Sequence, residues 1–502
     1  MRWWDDEGHR AWLALTWLCA LAVCWPLLHR FPPSSDFPEH AATVATLVDL
    51  QHGGPLASWY SADFSHTQYW LAAVVASWLS PFAGGPAEAL RLLLAFALAG
   101  QLLALRWLLG VLGADRRLVL LAGVMVWSRP LVLGFVPFVL GIPLVLVAFG
   151  LVARPEAARW RNQVALAAVA LGCFYLNLSN VLWLVVGATA VAWAAHGRGS
   201  RSLRSMVAAS WGLGVLVVPV GQWFLMSAVM HPDPAAFRKD FLPRFLAPWQ
   251  VVGDAPGWLS DQWPGHAGLF VLVLWGLLVL GLVVPVGGSK LGQAALPARV
   301  LVLATAALWL VVPFEQGWLW GLNQRFAPFL MMLFPAAFAP REPWRRRLVP
   351  LLGAALTIAA SAIAERQTAR FEREMADVEA LLTGLSGQRL LQLTFDHSSD
   401  VAFDSVFLHV NAYHRVWNHG PTEPSFVDTP QSVLHYRPER KPWLRPWPWE
   451  FEPQQYDNAR EGLQYDVVLV RGESPTFPPP LEAGGPRWER VRRAGSWTLY
   501  AR

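Results

Sequence analysis

The sequence predicts an all-α polytopic membrane protein that carries a small soluble α/β domain at its C-terminal end. Of the 502 residues, 54% are hydrophobic and only 15% are charged, a balance that a water-soluble globular protein rarely tolerates. About eleven apolar runs are long enough to cross a bilayer as helices. Many of the 29 tryptophans stand at the ends of these runs, where aromatic belts form at membrane interfaces.

The spans are placed by length, since a crossing needs roughly 17 to 25 mostly apolar residues. They cover residues 11–28, 87–110, 117–131, 133–153, 163–177, 179–196, 206–227, 267–287, 298–315, 324–340 and 348–364. The weaker run 69–82 is either a juxtamembrane helix or a twelfth span. With a cytoplasmic N-terminus, Arg and Lys gather in the inner loops, and an extra crossing at 69–82 would break that pattern. We therefore predict a juxtamembrane helix there.

This orientation puts three long segments on the non-cytoplasmic side, namely the loops 29–86 and 230–266 and everything after residue 364. The chain is thus predicted to form a multi-span transmembrane domain, 1–364, and an extracytoplasmic α/β domain, 365–502. Long loops collected on one face favour a site at the outer membrane boundary, whereas carriers more often have short loops on both faces. A bacterial inner membrane is the expected location.

The soluble domain is predicted to begin with an amphipathic helix, because apolar residues recur there at helical spacing between charged ones. Two strands follow at 390–395 and 467–470, and a hairpin at 488–501. The apolar helix positions are Phe371, Met375, Val378, Leu381 and Leu382.

Several classes of protein are excluded by what the sequence contains. The net charge of +5 comes mainly from short loops between spans, so no nucleic-acid partner is expected. The three cysteines, Cys19, Cys24 and Cys173, lie in apolar runs, which argues against disulfides and zinc sites. No GxSxG, Walker, Rossmann or HExxH motif occurs. A transferase without a nucleotide-binding motif would take its donor from the membrane.

A short acidic cluster, Asp36-Phe-Pro-Glu39-His40, follows the first predicted span. Ionisable residues at a membrane interface are costly and tend to be functional, so Asp36, Glu39 and His40 are the candidate catalytic residues. Pro38 and the residues after it favour a helix start, which would put Asp36 near the N-cap. A purely structural cap is the simpler interpretation, and it is compatible with catalysis.

Two arginines could bind a phosphate group. Arg325 opens the tenth predicted span, where a guanidinium could clamp a phosphate in bidentate fashion or simply snorkel to lipid headgroups. Arg91, at the start of the second span, allows the same two interpretations. Asp63 and His66, in the first outer loop, are further candidates to bind substrate.

Together these features resemble the GT-C glycosyltransferases, which include protein O-mannosyltransferases and aminoarabinose transferases. The resemblance covers the whole topology. Locally it rests on Asp36 and Glu39, on Arg325, and on the runs Pro86-Ala-Glu-Ala-Leu-Arg91-Leu-Leu and Gly134-Phe-Val-Pro-Phe-Val-Leu-Gly-Ile-Pro143. The two acidic residues are commonly adjacent in this family, whereas Phe37 and Pro38 separate them here.

The resemblance implies an inverting transfer from a polyprenyl-phosphate-linked sugar to an unidentified acceptor, among membrane lipids, with Asp36 as the general base. Arg325, with Arg91, would offset charge on the departing phosphate. Glu39 or His40 could orient the acceptor or bind a divalent cation, Mg²⁺ or Mn²⁺. Two alternatives stay open: a lipid or polysaccharide transporter, and a non-catalytic protein of envelope assembly.

Overall fold

The structure is a computed structural model of the chain. It describes residues 6–65, 67–197, 202–229, 242–260, 265–283, 292–293, 296–317, 319–339, 343–402, 405–429, 431–443, 449–474, 476–479 and 484–502. The chain separates into two compact units. The first unit comprises Met1–Leu28, Leu94–Leu131 and Pro137–Arg366, and the second comprises His29–Leu93, Val132–Val136 and Gln367–Arg502. The first outer loop, predicted as part of the transmembrane domain, therefore belongs to the same unit as the C-terminal residues.

The chain is mostly helical. In chain order, the α-helices of the described residues are α1 (Asp6–Cys24), α2 (Phe37–His52), α3 (Leu71–Ala83), α4 (Pro86–Val111), α5 (Val119–Ala122), α6 (Arg129–Leu133), α7 (Val136–Ala153), α8 (Trp160–Leu176), α9 (Leu178–His196), α10 (Ser202–Ser210), α11 (Val217–Val229), α12 (Pro248–Ser260), α13 (Ala267–Val283), α14 (Leu296–Val311), α15 (Ala327–Leu333), α16 (Pro343–Leu382), α17 (Ala412–Asn418) and α18 (Asn458–Glu461). The strands are β1 (Tyr60–Ala62), β2 (Pro243–Arg244), β3 (Gly292–Gln293), β4 (Glu315–Gln316), β5 (Leu319–Trp320), β6 (Phe338–Ala339), β7 (Leu390–Thr394), β8 (Thr422–Glu423), β9 (Leu434–Tyr436), β10 (Val467–Arg471), β11 (Glu489–Ala494) and β12 (Trp497–Ala501).

Six helical segments among the described residues are long and apolar enough to cross a membrane, as expected for an integral membrane protein. They are Arg10–Leu28, Pro86–Val111, Val136–Ala153, Leu178–His196, Leu203–Leu225 and Trp344–Leu382. Three shorter apolar helices, α3, α13 and α14, add to them. The predicted count of eleven spans is therefore not reproduced by length and composition, and α3 occupies the run where a juxtamembrane helix was predicted.

Two predicted spans are broken helices. Residues 117–131 form short α and 3₁₀ turns, and 324–339 of the second span likewise divide around α15. At the first break, side chains of the same unit donate to two backbone carbonyls. Thr357 Oγ1 donates to the Leu120 carbonyl at 3.1 Å, and Trp275 Nε1 donates to the Leu121 carbonyl at 3.0 Å. Such compensation permits broken helices where water is absent.

The second unit is built on a five-stranded mixed sheet with the order β11-β12-β10-β7-β8. The strands β7, β8 and β10 run parallel, and β12 pairs antiparallel with both β10 and β11. The two predicted strands and the predicted hairpin are thus present. Successive residues of β7 and β10 alternate between two cores, as the period of a pleated strand requires.

One face of this sheet is covered by the C-terminal half of α16. Its five predicted apolar positions are all buried in one cluster with Leu390, Val467, Leu469 and Trp497. The helix is continuous from the apolar residues of the last predicted span into this amphipathic half. Phe31 and Val132 join the same cluster, so segments far away in sequence complete the core of the second unit.

The segment 37–62 contacts the rest of the second unit in two ways. Helix α2 packs against α17. Strand β1 pairs antiparallel with β9, with Tyr60 opposite Tyr436. These contacts bring the start of α2 next to residues 409–426.

Candidate active site

The acidic cluster lies at the start of α2, as the sequence predicts. Asp36 is the N-cap residue, and Pro38 stands in the first turn, where a missing N–H costs nothing. The helix ends at Gly53, whose φ of 69° suits glycine. The Asp36 side chain makes no hydrogen bond to the backbone of the first turn. Its carboxylate is therefore not used as a helix cap.

The backbone of Asp36 is held by the segment 132–136. Ser35 donates its N–H to the Val132 carbonyl at 2.9 Å, and Asp36 donates to the Leu133 carbonyl at 3.3 Å. Gly134 then approaches so closely that a Cβ atom there would lie 2.5 Å from the Asp36 nitrogen. Its φ of +89° also favours glycine. Only a glycine fits this position without moving Asp36.

The Asp36 carboxylate faces a buried histidine. His409 Nε2 lies 3.5 Å from Asp36 Oδ1, and the exposed fraction of the side chain is 2% for His409 and 23% for Asp36. The Phe426 ring packs edge-on against His409, with the ring centroids 5.1 Å apart. This histidine is therefore fixed in place, while Asp36 keeps access to solvent.

Glu39, one helical turn further on, lies in a closed environment. Its carboxylate pairs with the Arg415 guanidinium, and both side chains are 0% exposed. It also accepts the Phe426 backbone N–H at 3.1 Å. A side chain with no exposed surface cannot contact an acceptor or a metal ion in this conformation. The geometry thus gives Glu39 a structural role where the sequence suggested a catalytic one.

The Arg415 side chain links Glu39 to a second buried carboxyl group. Its guanidinium lies 6.0 Å from the centroid of the Tyr60 ring, and that ring lies 5.1 Å from the ring of Tyr436. Tyr436 donates its hydroxyl to Glu423. Burial raises the pKa of Glu423 to about 8, although the hydrogen bond from Tyr436 favours its charged form. Glu423 therefore binds a proton at neutral pH.

His40 is half-buried beside the catalytic candidate. Desolvation lowers the pKa of His40 to about 4, against the opposing effect of the nearby Glu39 charge. Its ring hydrogen-bonds to the Gly134 backbone. A neutral imidazole bound to this carbonyl helps to hold the 132–136 segment against Asp36, which is a positioning role.

Arg91 and Asp63, two other predicted site residues in the second unit, contact groups outside this cluster. Arg91 donates to the His29 carbonyl and contacts Glu88 at 3.4 Å. Asp63 is exposed, and its Oδ1 accepts the Ser65 N–H at 2.8 Å in a local turn. His66 lies outside the described residues.

Arg325 belongs to the first unit and lies in a 3₁₀ turn, Gln324–Phe326. It is 5% exposed, which argues against the alternative that it snorkels to lipid headgroups. Its Nη2 donates to the Trp320 carbonyl at 2.9 Å, and the guanidinium lies 5.8 Å from the Phe138 ring centroid.

The residues around Asp36 do not fit a divalent cation. Glu39 is already paired with a guanidinium, and His40 is bound to a backbone carbonyl. In the part of the chain that the structure describes, no three His, Cys, Asp or Glu side chains are grouped to hold a metal ion. Glu39 and His40 are thus not arranged to hold the predicted Mg²⁺ or Mn²⁺.

Sequence reasoning missed the partners His409 and Arg415. In the sequence His409 and His414 stand five residues apart, a spacing that does not suit a metal-binding pair on one helix face. His414 instead contacts the Gln388 carbonyl at 2.8 Å. The sequence signal that could have found both partners was the concentration of ionisable residues, including Arg415, in the otherwise apolar stretch around residues 409–415.

Comparisons with known proteins find a structural likeness. No family model matches the sequence, and no curated protein matches it. Among solved structures, the chain is similar to a mutant of the mycobacterial arabinofuranosyltransferase AftD determined by single-particle cryo-EM, at 14% identity and a TM-score of 0.44. The match covers 98% of this chain and 41% of AftD, so the chain spans about two fifths of that protein's length. A likeness of this size identifies no function.

Proposed function

We propose that the protein is a membrane glycosyltransferase that moves a sugar from a polyprenyl phosphate to an acceptor hydroxyl outside the cytoplasm. The observation that carries the proposal is the placement of Asp36. Its carboxylate is partly exposed and faces buried His409, and the Gly134 segment fixes its backbone. A carboxylate held rigidly but open to solvent suits a general base, and the apolar helices suit a lipid-linked donor.

In the proposed reaction, the Asp36 carboxylate takes the proton of the acceptor hydroxyl. The acceptor oxygen then bonds to the anomeric carbon while the bond to the phosphate oxygen breaks, which inverts the configuration and releases polyprenyl phosphate. His409 presents a ring nitrogen to Asp36 Oδ1 and keeps the carboxylate oriented.

The test is release of polyprenyl phosphate by the full chain in nanodiscs, given a panel of polyprenyl-phosphate sugars and envelope extracts as acceptors. Asp36→Asn keeps the shape of the side chain but cannot accept the proton. We expect it to lower the rate by about 10²–10⁴-fold, the usual contribution of general acid–base catalysis. Asp400→Asn, at an exposed carboxylate of the same unit, is the matched control and should keep the wild-type rate.

The alternatives give different results in the same assay. Equal release by wild type and Asp36→Asn would place the base elsewhere. No release from any donor would contradict the transferase and favour a transporter or a non-catalytic envelope protein.

A further inference from the structure

The second unit contains a cavity of about 340 Å³ beside the short strands β8 and β9. Its buried lining includes Thr422, Glu423 and Tyr436. Two indole side chains, Trp59 and Trp443, also line it. The cavity is at the small end of the range of roughly 300–1,000 Å³ for ligand pockets. It shares no lining residue with the Asp36–His409 pair.

The buried lining is polar, and one of its hydrogen-bonding groups lacks a partner among the described residues. Thr422 is 1% exposed, and its hydroxyl has no hydrogen-bond partner among the described residues. Beside it, the Glu423 carboxyl accepts from Tyr436 and from Ser425 Oγ at 3.1 Å. Buried polar groups are almost always paired, so an unpaired hydroxyl in a cavity calls for an explanation. A hydroxyl group of a ligand would supply the missing partner.

The two indoles give the cavity aromatic walls. Each also carries a guanidinium on its ring: Arg440 lies 4.8 Å from the Trp59 centroid, and Arg460 lies 3.5 Å from the Trp443 centroid. Cation–π contacts of this kind favour one ring orientation. Aromatic rings that flank a few precisely placed polar groups are a recurrent arrangement of small-molecule sites. The C–H face of a sugar ring packs on such rings, while its hydroxyls bond to the polar groups.

The charges at the cavity argue against an anionic ligand. Arg389 is already bound to Asp466 by two hydrogen bonds of 2.8 and 3.0 Å. Lys441 is paired with Asp428 at 3.0 Å. The lining also contains Arg440, which lies over Trp59, and the Glu439 carboxylate. Two of the three lining cations are therefore already paired within the protein, which leaves less positive charge for a phosphate or sulfate. We propose that this cavity is a binding site for a neutral mono- or disaccharide.

The inference stands apart from the proposed transfer reaction, because binding alone tests it. Isothermal titration calorimetry on the full chain in nanodiscs suits the protein, since 29 tryptophans would obscure an intrinsic fluorescence change. The probes are maltose, lactose, mannobiose and arabinobiose, with glucose 6-phosphate as the anionic comparison. We expect saturable binding of at least one neutral disaccharide, in preference to the phosphorylated sugar.

Two variants locate the site. Trp443→Ala removes an aromatic wall, and the isosteric Thr422→Val removes only the hydroxyl, so each should weaken binding about tenfold or more. Trp78→Ala is the matched control, because Trp78 belongs to the same unit, is 66% exposed and does not line the cavity. It should bind as wild type does.

Three results would overturn the inference: no neutral sugar binds at millimolar concentration, glucose 6-phosphate binds more tightly, or the binding is unchanged in both cavity variants. None of them bears on lipid-phosphate release, which depends on Asp36. Conversely, loss of the transfer reaction would leave saccharide binding intact.

Discussion

Two carboxylates at the start of α2, one at the N-cap and one in the first turn, have opposite environments. Asp36 is 23% exposed and faces a histidine, whereas Glu39 is 0% exposed and paired with Arg415. Both partners come from the segment 409–415, which packs beside the start of α2. Although only three residues apart, Asp36 is therefore partly exposed and Glu39 fully buried. We call them the open and the sealed carboxylate.

The difference shows what each charge can do. A charge that keeps its contact with water can exchange protons with a substrate. A charge that is buried with its counterion acts mainly on stability, because removal of either partner leaves an uncompensated charge in the protein interior. Proximity to a catalytic candidate in sequence therefore does not make Glu39 a second catalytic residue.

The largest expected effect tests the sealed pair. Arg415→Met should destabilise the protein by about 3–5 kcal/mol, the usual cost of breaking a buried ion pair from one side. The double variant Glu39→Gln with Arg415→Met should recover most of that loss, since no charge is then left without a partner. Thermal unfolding of the full chain in nanodiscs measures both. If the single variant were as stable as wild type, Glu39 and Arg415 would not be a structural pair.

The next prediction tests the open carboxylate. A Cβ atom at residue 134 would collide with the Asp36 backbone, so Gly134→Ala must displace Asp36. A displacement of about 1 Å can cost on the order of 100-fold in rate, and we expect a fall of that size in lipid-phosphate release. Gly53→Ala is the matched control, because Gly53 also has a positive φ but nothing lies near its added Cβ. Equal activity of the two variants would contradict the positioning role.

The sequence predicted the features that depend on local pattern. The start of α2 follows from Pro38 and the helix-favouring residues after it, and the strands β7 and β10 follow from short apolar runs. The five apolar positions of α16 were predicted from helical spacing alone, and all are buried as expected. Each of these inferences needed only residues of one helix or one strand.

The partners of the acidic cluster could not be predicted in the same way. His409 and Arg415 are more than 370 residues from Asp36 and Glu39, and nothing local to either segment encodes their pairing. The breaks in two predicted spans could not be predicted for a similar reason. Hydropathy detects the apolar residues of 117–131, whereas the donors to the carbonyls of the break, Thr357 and Trp275, are distant in sequence.

A further prediction concerns the pH dependence of stability that buried Glu423 introduces. Burial raises the pKa of Glu423 to about 8, whereas an unfolded glutamate releases its proton near pH 4.3. Between these values the folded state holds a proton that the unfolded state has lost. The stabilising contribution is therefore full below about pH 4 and is lost as the pH rises towards 8. Glu423→Gln should remove this decline and be more stable than wild type at pH 8.

Unfolding midpoints of the full chain in nanodiscs at pH 5 and pH 8 measure this decline. Glu439→Gln, at an exposed carboxylate nearby, is the control and should leave the wild-type decline in place, because it removes a carboxylate without changing buried Glu423. A decline unchanged by Glu423→Gln would mean that the sealed network contains no protonated carboxyl group, and that Glu423, like Glu39, is held as a charge.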